Sequence, residues 1–265
     1  MSKKMTVGII GGGNMGTAIA AGIWNAYDVY VCEKDKKREA LLRRKYSVKT
    51  VDIASLVKNC KVLVLAVKPQ NIDEVLDLMN GRVGQDKILI SVVAGITSAF
   101  LEKRLGGKVR VIRAMPNLPA QIREGITGIS KGQHAKPHDL KVGALILGNI
   151  GQTVVVDEKL INAITAVSGS GPAYVFLFLE NLVNSAVALG LSKDMSMKLS
   201  MQTIKGSISL IEKTKQCPSL LREQVTSKGG TTQAALDVFA EHRFDKIFCS
   251  AVKAAEKRAK ELARN

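Results

Sequence analysis

The stretch Met5-Thr6-Val7-Gly8-Ile9-Ile10-Gly11-Gly12-Gly13-Asn14-Met15-Gly16 runs a short apolar strand directly into Gly11-x-Gly13-x-x-Gly16. Ala18, Ile19, Ala20, Ala21 and Ile23 then continue as an apolar helix. Strand, glycine turn and helix in that order are the fingerprint of a dinucleotide-binding turn. The glycines are needed for separate physical reasons. Gly11 lets the chain turn sharply, Gly13 lets the backbone approach a pyrophosphate, and Gly16 lets the helix pack closely on the sheet. With Gly12, Asn14 and Met15 completing the turn, the pyrophosphate sits on the free N–H groups at the helix head.

Working outward, apolar strand-like runs alternate with helical patterns as far as residue 156. They are Thr6 to Ile10, Val29 to Cys32, Val62 to Val67, Ile88 to Val93, Val109 to Ile112, Gly125 to Ser130 and Thr153 to Val156. This alternation predicts an α/β fold with a doubly wound, Rossmann-type parallel sheet over residues 1–157. Such a sheet binds its ligand beyond the carboxyl ends of its strands, so the loops after the strands carry the information. Besides the glycine turn, these are Glu33 to Arg38, Ala66-Val67-Lys68-Pro69-Gln70 and Met115-Pro116-Asn117.

From residue 158 the strand signals stop, which predicts an all-helical C-terminal domain over 158–265. Ala173 to Leu191 is apolar almost all round, broken only by Glu180, Asn181, Asn184 and Ser185. A helix without a polar face is buried on several sides, and this domain alone is too small to surround it. A second subunit is therefore expected to cover it, making the domain a dimerisation module and the protein a homo-oligomer. On the last helix, Phe244, Ile247, Phe248, Ala251, Val252, Ala255 and Leu262 recur at helical spacing and read as core.

Composition excludes several classes of function. The chain has 265 residues, 46% hydrophobic and 23% charged, the balance of an ordered globular protein. A strand starting near residue 5 leaves no room for a signal peptide, and no apolar run reaches the roughly 18 to 20 residues that span a bilayer. The expectation is a cytoplasmic protein with no membrane partner. The net charge of +16 comes from scattered Lys and Arg, and aromatics at 4% are too few for a base-stacking platform, so no nucleic acid partner is expected. Cys32, Cys60, Cys217 and Cys249 lie far apart without ligand spacing, and His134, His138 and His242 read as surface residues, so no metal site is expected.

The residue expected at the adenosine ribose, about twenty positions past the glycines, is Glu33. A carboxylate favours NADH, whereas Lys34, Lys36, Lys37 and Arg38 could neutralise the 2′-phosphate of NADPH, and both cofactors stay open. Hydride addition to a carbonyl develops an alkoxide and needs a proton donor, but none is evident. Tyr174 is followed four residues later by Phe178, not Lys, and Ala173 and Val175 stand where β-hydroxyacid dehydrogenases place a catalytic lysine. A protonated C=N bond suits such a site, because hydride addition to it yields a neutral amine.

Two C-terminal segments carry a specific likeness. Ala166-Val167-Ser168-Gly169-Ser170-Gly171-Pro172-Ala173-Tyr174, and Leu221 to Phe239 with Ser227-Lys228-Gly229-Gly230-Thr231-Thr232 at its centre, closely resemble the pyrroline-5-carboxylate reductase family. Ala66 to Gln70, Ser91 to Ile96 and Arg113 to Pro119 are similar to that family's internal segments, so the resemblance spans the whole chain. It implies reduction of 1-pyrroline-5-carboxylate to L-proline by NADPH or NADH. Gly229 and Gly230 would hold the substrate carboxylate, Thr231 and Thr232 would be the catalytic pair with Thr232 bonded to the ring nitrogen, and Ser168 and Ser170 would touch substrate. The residues leave two alternatives open: a related imine or β-hydroxyacid oxidoreductase, and a non-catalytic dinucleotide sensor.

Overall fold

The computed structural model describes residues 4–264. Contacts divide the chain into two compact units, one formed by residues up to Ser170 together with those from Ala255 onward, the other by Gly171–Ala254.

The first unit is built on eight strands: β1 Thr6–Ile10, β2 Asp28–Cys32, β3 Lys49–Thr50, β4 Val62–Leu65, β5 Ile88–Ser91, β6 Arg110–Met115, β7 Gly125–Lys131 and β8 Gly151–Val155, in the order β3-β2-β1-β4-β5-β6-β7-β8. Every position of β4 and β5 is buried, as a strand covered on both faces requires. One face carries α1 (Asn14–Ile23), α2 (Lys36–Lys45) and α6 (Pro137–Leu147), which pack Ile19, Leu42 and Ile146 on Val7, Ile9 and Val64. The other carries α3 (Ile53–Asn59), α4 (Ile72–Met79) and α5 (Ser98–Arg104), which pack Leu56, Leu76 and Leu101 on Ile10, Leu63 and Leu65. Full burial of each such side chain contributes about 1.5 to 3 kcal/mol.

The doubly wound parallel sheet expected from the sequence is present, with one reversal. β6 pairs antiparallel with β7, while β7 and β8 pair parallel. The cause is the link 116–124, which is shorter than the dozen or more residues a parallel crossover needs. The strand β3, only two residues long, has no periodicity to announce it. The chain leaves β1 towards β2 and returns to β4 on β1's other side, so the crevice of the doubly wound fold opens at the carboxyl ends of β1 and β4.

A buried ion network joins β6 to the segment that begins the helical region, the short turn Glu158–Leu160 and α7 (Ile161–Ile164). Arg113, whose side chain is 4% exposed, donates to Glu158 Oε1 at 3.2 Å and to Asn162 Oδ1 at 3.3 Å. The Ser98 N–H donates to Glu158 Oε1 at 2.8 Å and its hydroxyl donates to Oε2. The chain end closes the same unit, with the Arg264 N–H donating to Gly95 O at 2.8 Å and its guanidinium paired with Asp73.

The second unit holds α8 (Gly171–Ala188), α9 (Lys193–Thr214), α10 (Pro218–Gln224), α11 (Thr231–Glu241) and the first part of α12 (Phe244–Glu261). On α8 the one buried residue is Val183, while Val175, Phe176, Leu177 and Phe178 are exposed. The C-terminal stripe read as core is corrected at Phe244, Ile247, Phe248, Ala251 and Leu262, which are also exposed. Helical spacing marks an apolar face and says nothing of whether this chain covers it. Phe244, Ile247 and Phe248 line an apolar groove of about 590 Å³ with Tyr174, Phe178 and Phe239, in which Tyr174 and Phe248 meet edge to face with ring centres 6.1 Å apart. The sequence expectation that no run could span a bilayer also changes. The helical run Glu158–Ala188 is long and apolar enough by length and composition, because the helix extends back from α8 through the preceding turns.

Glu158→Ala leaves the Arg113 guanidinium buried without its carboxylate, and urea unfolding followed by circular dichroism should show a loss of about 3 kcal/mol. Lys34→Ala breaks the exposed pair with Glu74 and should change stability by less than about 1 kcal/mol.

Candidate active site

The glycine turn lies at the carboxyl end of β1. Gly11 has φ +101°, its N–H donates to Cys32 O at 2.9 Å, and a Cβ there would stand 2.6 Å from Ala66 O. A Cβ on Gly16 would overlap the Gly11 carbonyl oxygen, whereas one on Gly13 would meet nothing within 4 Å. Gly11 and Gly16 are therefore demanded by the protein's own packing, whereas Gly13 borders open space above the turn that a side chain would enter. Gly13 is the N-cap of α1 and supplies no side-chain cap. The N–H groups of Gly13, Asn14 and Met15 have no acceptor among the described residues. A groove of about 310 Å³ runs past them, lined by Gly12, Gly13, Asn14, Thr17, Arg38 and Gln121. Unpaired donors at a helix head with space above them fit a diphosphate.

The sheet brings the other expected cofactor loops to the same edge. Glu33 follows β2, and its Oε2 accepts the Gly12 N–H at 2.5 Å while Oε1 accepts the Asp35 N–H at 2.8 Å. Lys34 turns to Glu74, with Nζ 2.6 and 2.7 Å from its two oxygens. Burial raises the Cys32 thiol above its ordinary range, and Asp52, Glu33 and Glu39 push it the same way. Ala66 donates its N–H to Ile10 O at 2.8 Å, which sets Val67, Lys68 and Pro69 beside the glycine turn. Pro69 opens a short 3₁₀ turn, Pro69–Asn71, with Lys68 exposed at its head. Met115 ends β6, Pro116 is buried, and Asn117 Oδ1 accepts the Ile126 N–H at 2.9 Å, holding the link to β7.

Ser168 and Ser170 lie in an element that sequence reasoning missed. Their segment reads as a tight turn starting a helix, yet Thr165–Gly169 is a π turn within continuous helix, with the Ser170 N–H donating to Thr165 O at 2.8 Å. The Ser168 hydroxyl donates to Ile164 O at 3.1 Å. A Cβ on Gly169 would come 2.8 Å from the Met115 methyl, so this turn packs on the end of β6. Insertions of this kind recur at functional sites. The pair of glycines around Ser170 was the sequence signal that could have suggested it.

Gly229, Gly230, Thr231 and Thr232 form the head of α11. Gly229 has φ +72°, a left-handed conformation that glycine adopts without strain. Gly230 is the N-cap, and its N–H donates to Ser227 O at 3.0 Å. No side chain caps the helix, so Thr231 and Thr232 do not play the simple capping role open to them. The N–H groups of Thr231, Thr232 and Gln233, and the hydroxyls of both threonines, have no partner among the described residues. Three backbone donors with two hydroxyls at one helix head can hold a small carboxylate and still donate to a neighbouring atom.

Residues 158–262 match the family model for pyrroline-5-carboxylate reductase dimerisation, and residues 6–95 match that for NADP oxidoreductase, coenzyme F420-dependent. A pyrroline-5-carboxylate reductase of Mycobacterium tuberculosis is 36% identical, with 97% of this chain and 96% of that protein aligned. The solved structure of a pyrroline-5-carboxylate reductase from Coxiella burnetii superposes with a TM-score of 0.90 at 35% identity, covering 99% of this chain and 100% of that one. The Plasmodium falciparum pyrroline carboxylate reductase, solved with NADP bound, superposes with a TM-score of 0.88 at 30% identity over 98% of each chain. Fold and glycine turn thus define a dinucleotide-dependent oxidoreductase with a Rossmann-type sheet and a helical C-terminal region. Within that class, the chain belongs to the pyrroline-5-carboxylate reductase family.

The two kinds of glycine separate experimentally. Gly13→Val should leave the melting temperature within about 2 °C and raise the dinucleotide Kd at least about tenfold, or 1.4 kcal/mol. Gly16→Val should lower the melting temperature itself, and thermal melts with calorimetric titration of each variant check both.

Proposed function

We propose that this chain reduces the C=N bond of 1-pyrroline-5-carboxylate to give L-proline, with NADPH or NADH as donor. Family membership supports the reaction, and the uncapped head of α11 is the observation that carries the site assignment. Bound at the glycine turn, NAD(P)H supplies the hydride. Gly11, Gly12, Gly13, Asn14, Met15 and Gly16 hold the pyrophosphate, Glu33 and Lys34 meet the adenosine ribose, and Ala66 to Pro69 with Met115 to Asn117 line the remainder of the cofactor site.

The substrate carboxylate is held by the backbone of Gly229 and Gly230 and the N–H groups that follow. Thr232 bonds the ring nitrogen, Thr231 supports it, and Ser168 and Ser170 border the substrate. The protonated C=N already carries positive charge, so its reduction produces a neutral amine, with no oxyanion to stabilise and no side-chain acid required. Positioning then carries the catalysis, an effect worth several kcal/mol.

On this reading residues 1–157 serve the cofactor and 158–265 serve substrate and assembly. The protein is a homo-oligomer through its C-terminal helices, in which a second copy covers the exposed apolar residues of α8 and α12. It is cytoplasmic and takes neither nucleic acid nor membrane as partner. The match of residues 158–262 to a dimerisation model supports the assembly.

Incubated with 1-pyrroline-5-carboxylate and NADH or NADPH, the protein should oxidise the nucleotide and form proline, and no turnover with either nucleotide would overturn the proposal. Thr232→Ala should lower kcat at least about tenfold, roughly 1.4 kcal/mol of barrier, while calorimetry finds nucleotide Kd unchanged. Sedimentation should find an oligomer for the parent chain and a smaller species for Phe248→Asp.

A further inference from the structure

We infer that Glu33 makes this chain prefer NADH over NADPH: its carboxylate is fixed where it accepts the hydroxyls of an unmodified adenosine ribose and opposes a 2′-phosphate. The inference rests on the dinucleotide reading of the glycine turn and adds the choice between cofactors, which the sequence leaves open.

Two backbone donors from separate loops lock the carboxylate. Gly12 of the glycine turn holds Oε2 at 2.5 Å, and Asp35 of the loop after β2 holds Oε1 at 2.8 Å. A Cβ on Gly12 would stand 2.9 Å from Oε2, so the carboxylate lies directly against the turn. Each oxygen has used one acceptor position and keeps another. That leaves two acceptors for two ribose hydroxyls. A 2′-phosphate offers no such donors, and its negative charge would meet a carboxylate that cannot swing away without abandoning both N–H groups.

The cations that could compensate are largely engaged elsewhere. Lys34 is bound to both oxygens of Glu74, and Lys36 to Glu39 at 2.9 Å. Asp35 caps α2 by accepting the N–H groups of Lys37 and Arg38 at 2.8 and 3.2 Å, placing a second carboxylate at the same end of β2. Lys37 and Arg38 are the members of the basic cluster whose side chains have no ion pair among the described residues. Of these two, Arg38 lines the groove beside Gly12, as does Lys45 farther along α2, whose ammonium lies 5.4 Å from the centre of the Tyr46 ring. The raised Cys32 thiol reports the resulting balance, since after burial its causes are the carboxylates Asp52, Glu33 and Glu39, with Lys34 opposing them. Within a chain of net charge +16, Glu33 and Asp35 thus set two carboxylates, both fixed by backbone N–H groups, at the end of β2.

The test is calorimetric titration of the full chain with NADH and with NADPH, without substrate. NADH should bind at least about tenfold more tightly, a 1.4 kcal/mol preference. In Glu33→Gln, which keeps the shape and removes the charge, the ratio of the two Kd values should fall to near unity or invert. Tighter NADPH binding by the parent chain would overturn the inference while leaving the reductase reading intact, as would an unchanged ratio in a Glu33→Gln protein with the parent's melting temperature. Failure of both nucleotides to bind would overturn the dinucleotide reading itself.

Discussion

The architecture of the first unit depends on one close approach, that of Gly16 to the Gly11 carbonyl at the end of β1. Any side chain at position 16 would overlap that oxygen. Without one, α1 starts directly against the sheet, and its first N–H groups stay unpaired at the edge where β1 and β4 diverge. The same seating brings Gly12 onto the Glu33 carboxylate and Gly11 under Ala66. Three loops far apart in the chain thus share one edge because two backbones can touch there.

The chain treats its helix heads in two ways. At four heads where no ligand is proposed, a side chain accepts one or more of the orphan donors: Asp35 caps α2, Asp52 caps α3, Thr97 caps α5 and Ser192 caps α9. At α1 and α11 the N-cap is glycine, and no side chain caps either helix. Leaving these donors unpaired forgoes roughly 1 kcal/mol of capping per helix, a cost that an anionic ligand offsets on binding. The same arrangement serves the proposed pyrophosphate in one unit and the proposed substrate carboxylate in the other.

Charge shows how far bulk composition can mislead. The excess of lysine and arginine is spread over the surface, and individual cations beside the proposed cofactor site are held by their own carboxylates, as Lys34 is by Glu74. Selectivity at a site follows from which charges are fixed there. On the proposed reading, a locked glutamate weighs more at the ribose than several mobile lysines whose interactions are exposed and screened.

The strand positions of the sheet other than β3, the dinucleotide turn, the helical character of the C-terminal region and the family were all legible in the order of residues alone. Each rests on local features: buried strands must be apolar, a tight turn at φ +101° selects glycine as at Gly11, and an amphipathic helix repeats every three to four residues. Only the folded chain settled the reversed β6–β7 pairing, the π turn at Thr165–Gly169, the partners of Glu33 and Lys34, and the exposure of Phe244, Ile247 and Phe248 on α12. These depend on which distant segments meet. Neither the partner of a carboxylate forty residues from its lysine nor the cover over an apolar stripe is encoded in local spacing.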